Sequence, residues 1–208
     1  MDAVEVAGAE EQGGYRRSAR SARGEARRQE LLERVTDDLA ANGLVDFSLR
    51  RAARAAGTTH KVLLYHFEGA DDLLVQAVIR LRERRIVGGL AAAEGQAHHS
   101  LADRVRAVWP VLVRAEARVL DQAIGLAMYD PGRYAALGRG ATEQYLPSLR
   151  AICPEHWSDR RKHEVAEMVL AALRGFLVNA RTSGDTAGID AGFEALARAL
   201  DREEAAAD

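Results

Sequence analysis

The 208-residue chain has one cysteine, Cys153. No disulfide within the chain is possible, and no cysteine cluster can hold zinc. Pro154 follows Cys153, and nothing beside it in the sequence would activate a thiol, so an inert cysteine is expected. Proline occurs only at Pro110, Pro131, Pro147 and Pro154, which leaves long stretches free to be helical. No segment of β-branched and aromatic residues alternates with period two, which argues against strands. No apolar run approaches the ~20 residues that a membrane span needs. The N-terminal MDAVEVAGAEEQGG is acidic and does not read as a secretory signal. A cytoplasmic protein with no membrane partner is therefore expected. Catalytic signatures are missing too: there is no Gly-rich phosphate loop, no His-Glu-x-x-His and no Gly-x-Ser-x-Gly elbow. The scattered carboxylates read as solvated helix faces. Neither an enzyme nor a cofactor is expected. His98-His99 has no third ligand at helical spacing, so no metal is expected either.

The residues that are abundant point one way. Hydrophobic residues make up 48% of the chain, enough for a real core. Ala, Leu, Arg and Glu dominate, all good helix formers. The net charge of −2 conceals an uneven distribution. Residues 1–14 carry four acids and no base. Residues 15–67 carry eleven Lys/Arg against six Asp/Glu, and residues 68–208 carry eighteen against twenty-one. Positive charge gathered in one segment suits an anionic polymer as partner, although many solvated faces are also basic.

Residues 1–24 lack apolar periodicity and read as a flexible arm. Six arginines between Arg16 and Arg28 suit either a groove or phosphate contact or a plain solubilising tail. A first helix is expected from about Glu25 to Ala41, with Leu31, Val35 and Leu39 as its apolar stripe and Asn42-Gly43 as its end. Ser48 sits where an N-cap belongs. The helix that follows runs to about Ala56 and buries Leu49, Ala52, Ala53 and Ala56. Gly57 breaks it. Thr59 caps a third helix from His60 to about His66. Two short helices joined by a turn with a glycine form a helix-turn-helix, whose second helix enters a major groove.

The segment SLRRAARAAGTTHKVLLYHFEGADDLL, residues 48–74, resembles the DNA-binding region of the TetR-like (tetracycline-repressor-like) regulators. Ser48, Leu49, Arg50, Ala53, Ala56, Gly57, Thr59, Leu63, His66, Phe67, Leu73 and Leu74 fall on that family's pattern. The detailed match covers about residues 27–75. One position departs. Leu64 stands where the family usually has a tyrosine that touches phosphate, and the adjacent Tyr65 takes either that contact or a packing role. The resemblance implies an all-α fold: a helix-turn-helix domain over residues 25–70, then a helical ligand-binding and dimerisation domain over 71–204. It implies a homodimer on a palindromic operator in double-stranded DNA, acting as a transcriptional repressor released by an unknown small-molecule effector. Ser48, which caps the second helix, is counted among the DNA-binding candidates, and Arg50 would touch the DNA backbone. Thr58, Thr59, His60 and Lys61 would lie at the groove, with His60 as the residue most apt to set sequence preference, and His66 would lie beside a phosphate. Arg51 and Arg54 read as a solvated face.

In the C-terminal part, helices are expected at about 71–93, 100–115, 116–129, 132–151, 159–183 and 189–202. The resemblance places a ligand pocket among the middle helices, where Trp109, Met128, Tyr129 and Tyr145 are candidates, with Tyr134 and Trp157 nearby. At helical spacing these can equally be plain core. Arg104, Arg106 and Arg114 could meet an anionic ligand or simply be exposed. The resemblance also places dimerisation on the last two helices. Val165, Met168, Val169, Phe176, Phe193 and Leu196 are the candidates, and the same positions can be internal core.

Overall fold

The computed structural model describes residues 4–96, 99–114 and 118–206, and the side chains from residue 22 onward. The described residues form helices and connecting turns, with no strand. In chain order the helices are α1 (Val4–Asn42), α2 (Leu49–Ala55), α3 (His60–His66), α4 (Ala70–Glu94), α5 (Leu101–Leu112), α6 (Arg118–Tyr129), α7 (Pro131–Ala151), α8 (Asp159–Thr182) and α9 (Thr186–Ala205). No helix among the described residues is long and apolar enough to cross a membrane. The chain divides into two compact units, one of Met1–Asp38 with Asp46–Ala77, the other of Leu39–Val45 with Val78–Asp208.

α1 begins at Val4, well before the expected Glu25. The segment has no proline, and its Ala, Glu and Arg favour helix in spite of four glycines. Any groove contact by the arm's side chains up to residue 21 lies outside the described residues. Further along α1, Leu31, Leu32 and Val35 are buried, as the spacing predicts. Thr36 is buried with them and donates its hydroxyl to the Leu32 carbonyl at 2.7 Å, which satisfies it within the helix.

The short helices of the first unit are set by their caps. Ser48 Oγ accepts from the Arg51 N–H at 3.3 Å and starts α2. Ala52, Ala53 and Ala56 are buried, and their small side chains allow close helix approach. Gly57 takes φ +62°, a left-handed conformation that glycine adopts without steric cost. Thr59 Oγ1 then accepts from the Val62 N–H and starts α3. Leu63 and Phe67 are buried beneath that helix.

Three arginines close this unit from within. Arg34 donates to the Ala56 carbonyl at 3.0 Å, filling an acceptor at the end of α2. Arg51 Nε reaches Asp38 Oδ2 at 2.7 Å, with both side chains largely buried. Arg28 donates to the His66 carbonyl and to Gln76, and its guanidinium lies 5.0 Å from the centre of the Phe67 ring.

The second unit is built by α5 to α9 with the later part of α4. Its core joins Val105, Val108, Trp157, Val165, Val169, Leu173, Phe193, Leu196 and Leu200. Trp109, Phe176 and Phe193 form an aromatic cluster with ring centres 5.5–6.2 Å apart. The helices again start on side-chain caps, at Ser100, Asp130, Ser158 and Asp185. Pro131 occupies the first turn of α7, where its missing N–H costs nothing. Glu204 near the end of α9 accepts from the Leu101 N–H at 2.7 Å, so the last helix caps the start of α5. Trp157 lies buried beneath the Arg161 guanidinium, 4.3 Å away.

Candidate nucleic-acid interface and cavity

Opposite its buried Leu63, α3 turns an open polar face outward. Thr59, His60, Lys61 and Tyr65 are exposed, as are Ser48 and Arg50 at the start of α2, while Thr58 and His66 are half-buried. Tyr65 is 84% exposed, so its ring is not a packing element. It meets only the edge of the His66 ring, 5.0 Å between centres. Arg50, Arg54, His60 and Lys61 have no hydrogen bond or ion pair among the described residues. Four basic side chains without protein partners, beside two threonine hydroxyls on one short helix and its turn, suit a polyanion.

The arginine beside Arg50 behaves differently. The expectation of a solvated Arg51 is corrected by its ion pair with Asp38. The basic segment thus splits into arginines bonded to other parts of the unit (28, 34 and 51) and cations without a partner among the described residues (50, 54 and 61). Sequence spacing gave no sign of this split, because a guanidinium reaches partners 13 to 48 residues away.

The second unit contains a cavity. The space between its lining side chains, including its opening to solvent, is about 790 Å³. Its walls are apolar, with Ile86, Leu90, Val108, Leu120, Ile124, Leu149, Leu170 and Leu173 among them. Its polar groups are Arg82, Arg85, Asp121, Tyr145, Ser148 and Arg174. Arg82, 1% exposed, donates to the Leu137 carbonyl and to Gln144. Burial lowers its pKa, and so does the positive charge of Arg174 and Arg85. Arg85 donates to the Leu112 carbonyl at 3.0 Å and stands 3.5 Å from the Tyr145 hydroxyl.

Solved structures match this arrangement along most of the chain. EbrR, a multidrug-binding protein complexed with proflavin, superposes with a TM-score of 0.63 at 20% identity, over 83% of this chain and 98% of its own. The TetR-family transcriptional regulator of Cytophaga hutchinsonii gives 0.62 at 16% identity, over 86% and 95%. SCO7518 of Streptomyces coelicolor A3(2), described as a transcriptional regulator, gives 0.62 at 23% identity, over 84% and 98%. The chain has the fold of the TetR-family transcriptional regulators. No sequence-family profile and no curated protein matches it.

On this TetR fold the expected pocket residues separate. Tyr145 lines the cavity. Trp109 does not, and packs with Phe176 and Phe193 instead. Met128 and Tyr129 are 78% and 89% exposed at the end of α6 and do not join the lining. Their sequence signal was an aromatic and sulfur-rich helix end, which does not reveal which way it faces. Of the arginines singled out for an anion, Arg104 donates to the Ile152 carbonyl, and Arg106 pairs with Asp103 and Glu194. The guanidiniums at the cavity come from Arg82, Arg85 and Arg174, which nothing in the residue pattern singles out.

The expected dimer residues divide in the same way. Val165, Val169, Phe193 and Leu196 belong to the core of their own chain, and Phe176 packs against it half-buried. Met168 alone of the six faces outward. It shares an exposed stripe of α8 with Ala171, Gly175 and Val178. The outward side of α9 carries Ala187, Gly188, Ala191 and Ala195.

Cys153 is buried, and its thiol donates to the Leu149 carbonyl. Burial pushes its pKa up from its ordinary 9.0 to about 11, which leaves it almost wholly protonated at neutral pH. Among the described residues no three His, Cys, Asp or Glu side chains are placed to hold a metal ion, and His98 lies outside those residues.

Proposed function

We propose that the chain is a DNA-binding transcriptional regulator, a repressor released by a small molecule. The observation that carries this reading is the outward face of α3, where Thr59, His60 and Lys61 stand exposed on a TetR fold, His60 and Lys61 without a partner among the described residues. In this reading α3 lies in the major groove. Thr58, Thr59, His60 and Lys61 meet base edges and phosphates, while Arg50, Tyr65 and His66 hold the backbone. Ser48 acts at one remove, by fixing the start of α2. Leu64 contributes no hydrogen bond, and the adjacent exposed phenol of Tyr65 supplies the donor.

The regulator acts as a cytoplasmic homodimer on a palindromic operator. The small-residue faces of α8 and α9 around Met168, Ala171, Gly175 and Ala191 form the dimer contact, because Val165, Val169, Phe193 and Leu196 are already spent on the internal core. The apolar cavity of the second unit holds the effector, as its hydrocarbon walls and few polar groups support. EbrR, a neighbour of the same fold, is a multidrug-binding protein, which favours a ligand site of this kind.

The test is selection of binding sites from a random DNA pool, followed by a salt series. An enriched palindrome, with half-sites about one helical turn or a multiple of it apart, is expected. Affinity should fall steeply with salt. A pool that emerges without enrichment sinks the reading.

A further inference from the structure

The cavity's charge is one-sided. Three guanidiniums line it, from Arg82, Arg85 and Arg174, and among the described residues the lining holds a single acid, Asp121. That acid is already engaged, since Arg181 Nε donates to Asp121 Oδ2 at 3.1 Å. None of the three lining arginines forms an ion pair with a carboxylate among the described residues. Glu167 is felt electrostatically by Arg174 but makes no bridge to it.

The neutral partners present leave donors over. A guanidinium carries five N–H donors. Arg82 spends its own on the Leu137 carbonyl and Gln144. Arg174 directs both terminal nitrogens at one hydroxyl, Thr142 Oγ1, at 3.2 Å each. Arg85 has a buried Nε with no acceptor among the described residues. Burying a cation without a counter-charge is costly, and a protein tolerates it where a ligand supplies that charge. The same burial lowers the pKa of Arg82 and Arg174. Tyr145 lines the same space, and its hydroxyl stands 3.5 Å from Arg85. The remaining walls are hydrocarbon, from Ile86, Leu90, Ile124, Leu149 and Leu173.

We propose that this cavity takes an apolar organic anion, a monocarboxylate with a hydrocarbon or aromatic body, whose carboxylate is held by Arg85 and Arg174 beside Tyr145. The planar fork of each guanidinium matches the two oxygens of a carboxylate, and the apolar walls hold the rest. Cations of similar shape are repelled. The inference rests on the effector-site reading above, and it specifies the ligand's charge.

The test is calorimetric titration of the full-length protein, without DNA, with three twelve-carbon probes below their aggregation limits: sodium dodecanoate, dodecanol and dodecyltrimethylammonium. Dodecanoate is expected to bind at least about tenfold more tightly than either other probe. Arg174→Gln and Arg85→Gln should each weaken dodecanoate by about tenfold or more and leave dodecanol unchanged. Equal or tighter binding of the cation or the alcohol overturns the proposal. So does an absence of dodecanoate binding, or variants that bind dodecanoate as the native chain does. If the variants fail to fold, the three-probe comparison on the native chain decides alone. DNA selection is scored separately, so a protein that prefers dodecanoate yet enriches no operator keeps the anion site and loses the regulator reading.

Discussion

The two units use arginine in opposite ways. In the first unit, Arg28, Arg34 and Arg51 are bonded to carbonyls, an aromatic ring and a carboxylate, each finding a partner on another part of the unit. The cations left over, Arg50, Arg54 and Lys61, stand in solvent, where charge costs little and remains available. In the second unit, Arg82, Arg85 and Arg174 line an apolar cavity and form no ion pair with a carboxylate among the described residues. A solvated cation suits a partner that arrives from outside and keeps its water nearby. A desolvated one suits a small anion that can be enclosed. Residue type is the same in both places, and burial makes the difference.

That contrast can be broken most severely at the anchor of the outward face. Leu63→Ala removes a fully buried side chain beneath α3 and should cost about 2–5 kcal/mol of stability, read by urea denaturation. A loss of less than about 1 kcal/mol would mean that α3 is held by something other than its buried side.

The next prediction compares two arginines on one helix. Arg51→Ala breaks a largely buried pair with Asp38 and should cost roughly 1–3 kcal/mol, whereas Arg54→Ala, exposed and unpartnered, should stay within about 0.5 kcal/mol of the parent. Equal costs would erase the division between the two sets of cations.

Lys61→Ala should leave stability unchanged. It should weaken DNA binding by about 1 kcal/mol and reduce the slope of log affinity against log salt by about one, measured by titration on a selected operator. The smallest effect is expected at the end of α6. Met128→Ala and Tyr129→Ala should shift stability by no more than about 0.5 kcal/mol and leave dodecanoate affinity as it was. A marked loss of affinity there would place the ligand outside the arginine-lined cavity.

What the sequence revealed and what it hid follow from range. Helix boundaries from α2 onward were legible because caps and breakers act over a few residues. Ser48, Gly57, Thr59 and Pro131 each do locally what their chemistry dictates. The helix-turn-helix and its outward residues were legible for the same reason. The start of α1 was not, because a polar stretch rich in helix formers carries no apolar period to mark its extent. The cavity was missed because its arginines come from α4 and α8, and only the packed helices bring them to one space. The stripe through Val165, Val169, Phe193 and Leu196 correctly announced a buried face, but periodicity does not say whether the covering helix belongs to the same chain.

Both tryptophans of the chain, Trp109 and Trp157, lie in the second unit, one in the aromatic cluster and one beneath Arg161. The first unit has none. Intrinsic fluorescence excited at the indole band therefore reports on the cavity-bearing unit alone, while far-ultraviolet ellipticity reports on helices in both. Unfolding followed by the two signals together separates the melting of the first unit from that of its companion without any label. Coincident curves would mean that the units melt as one cooperative body.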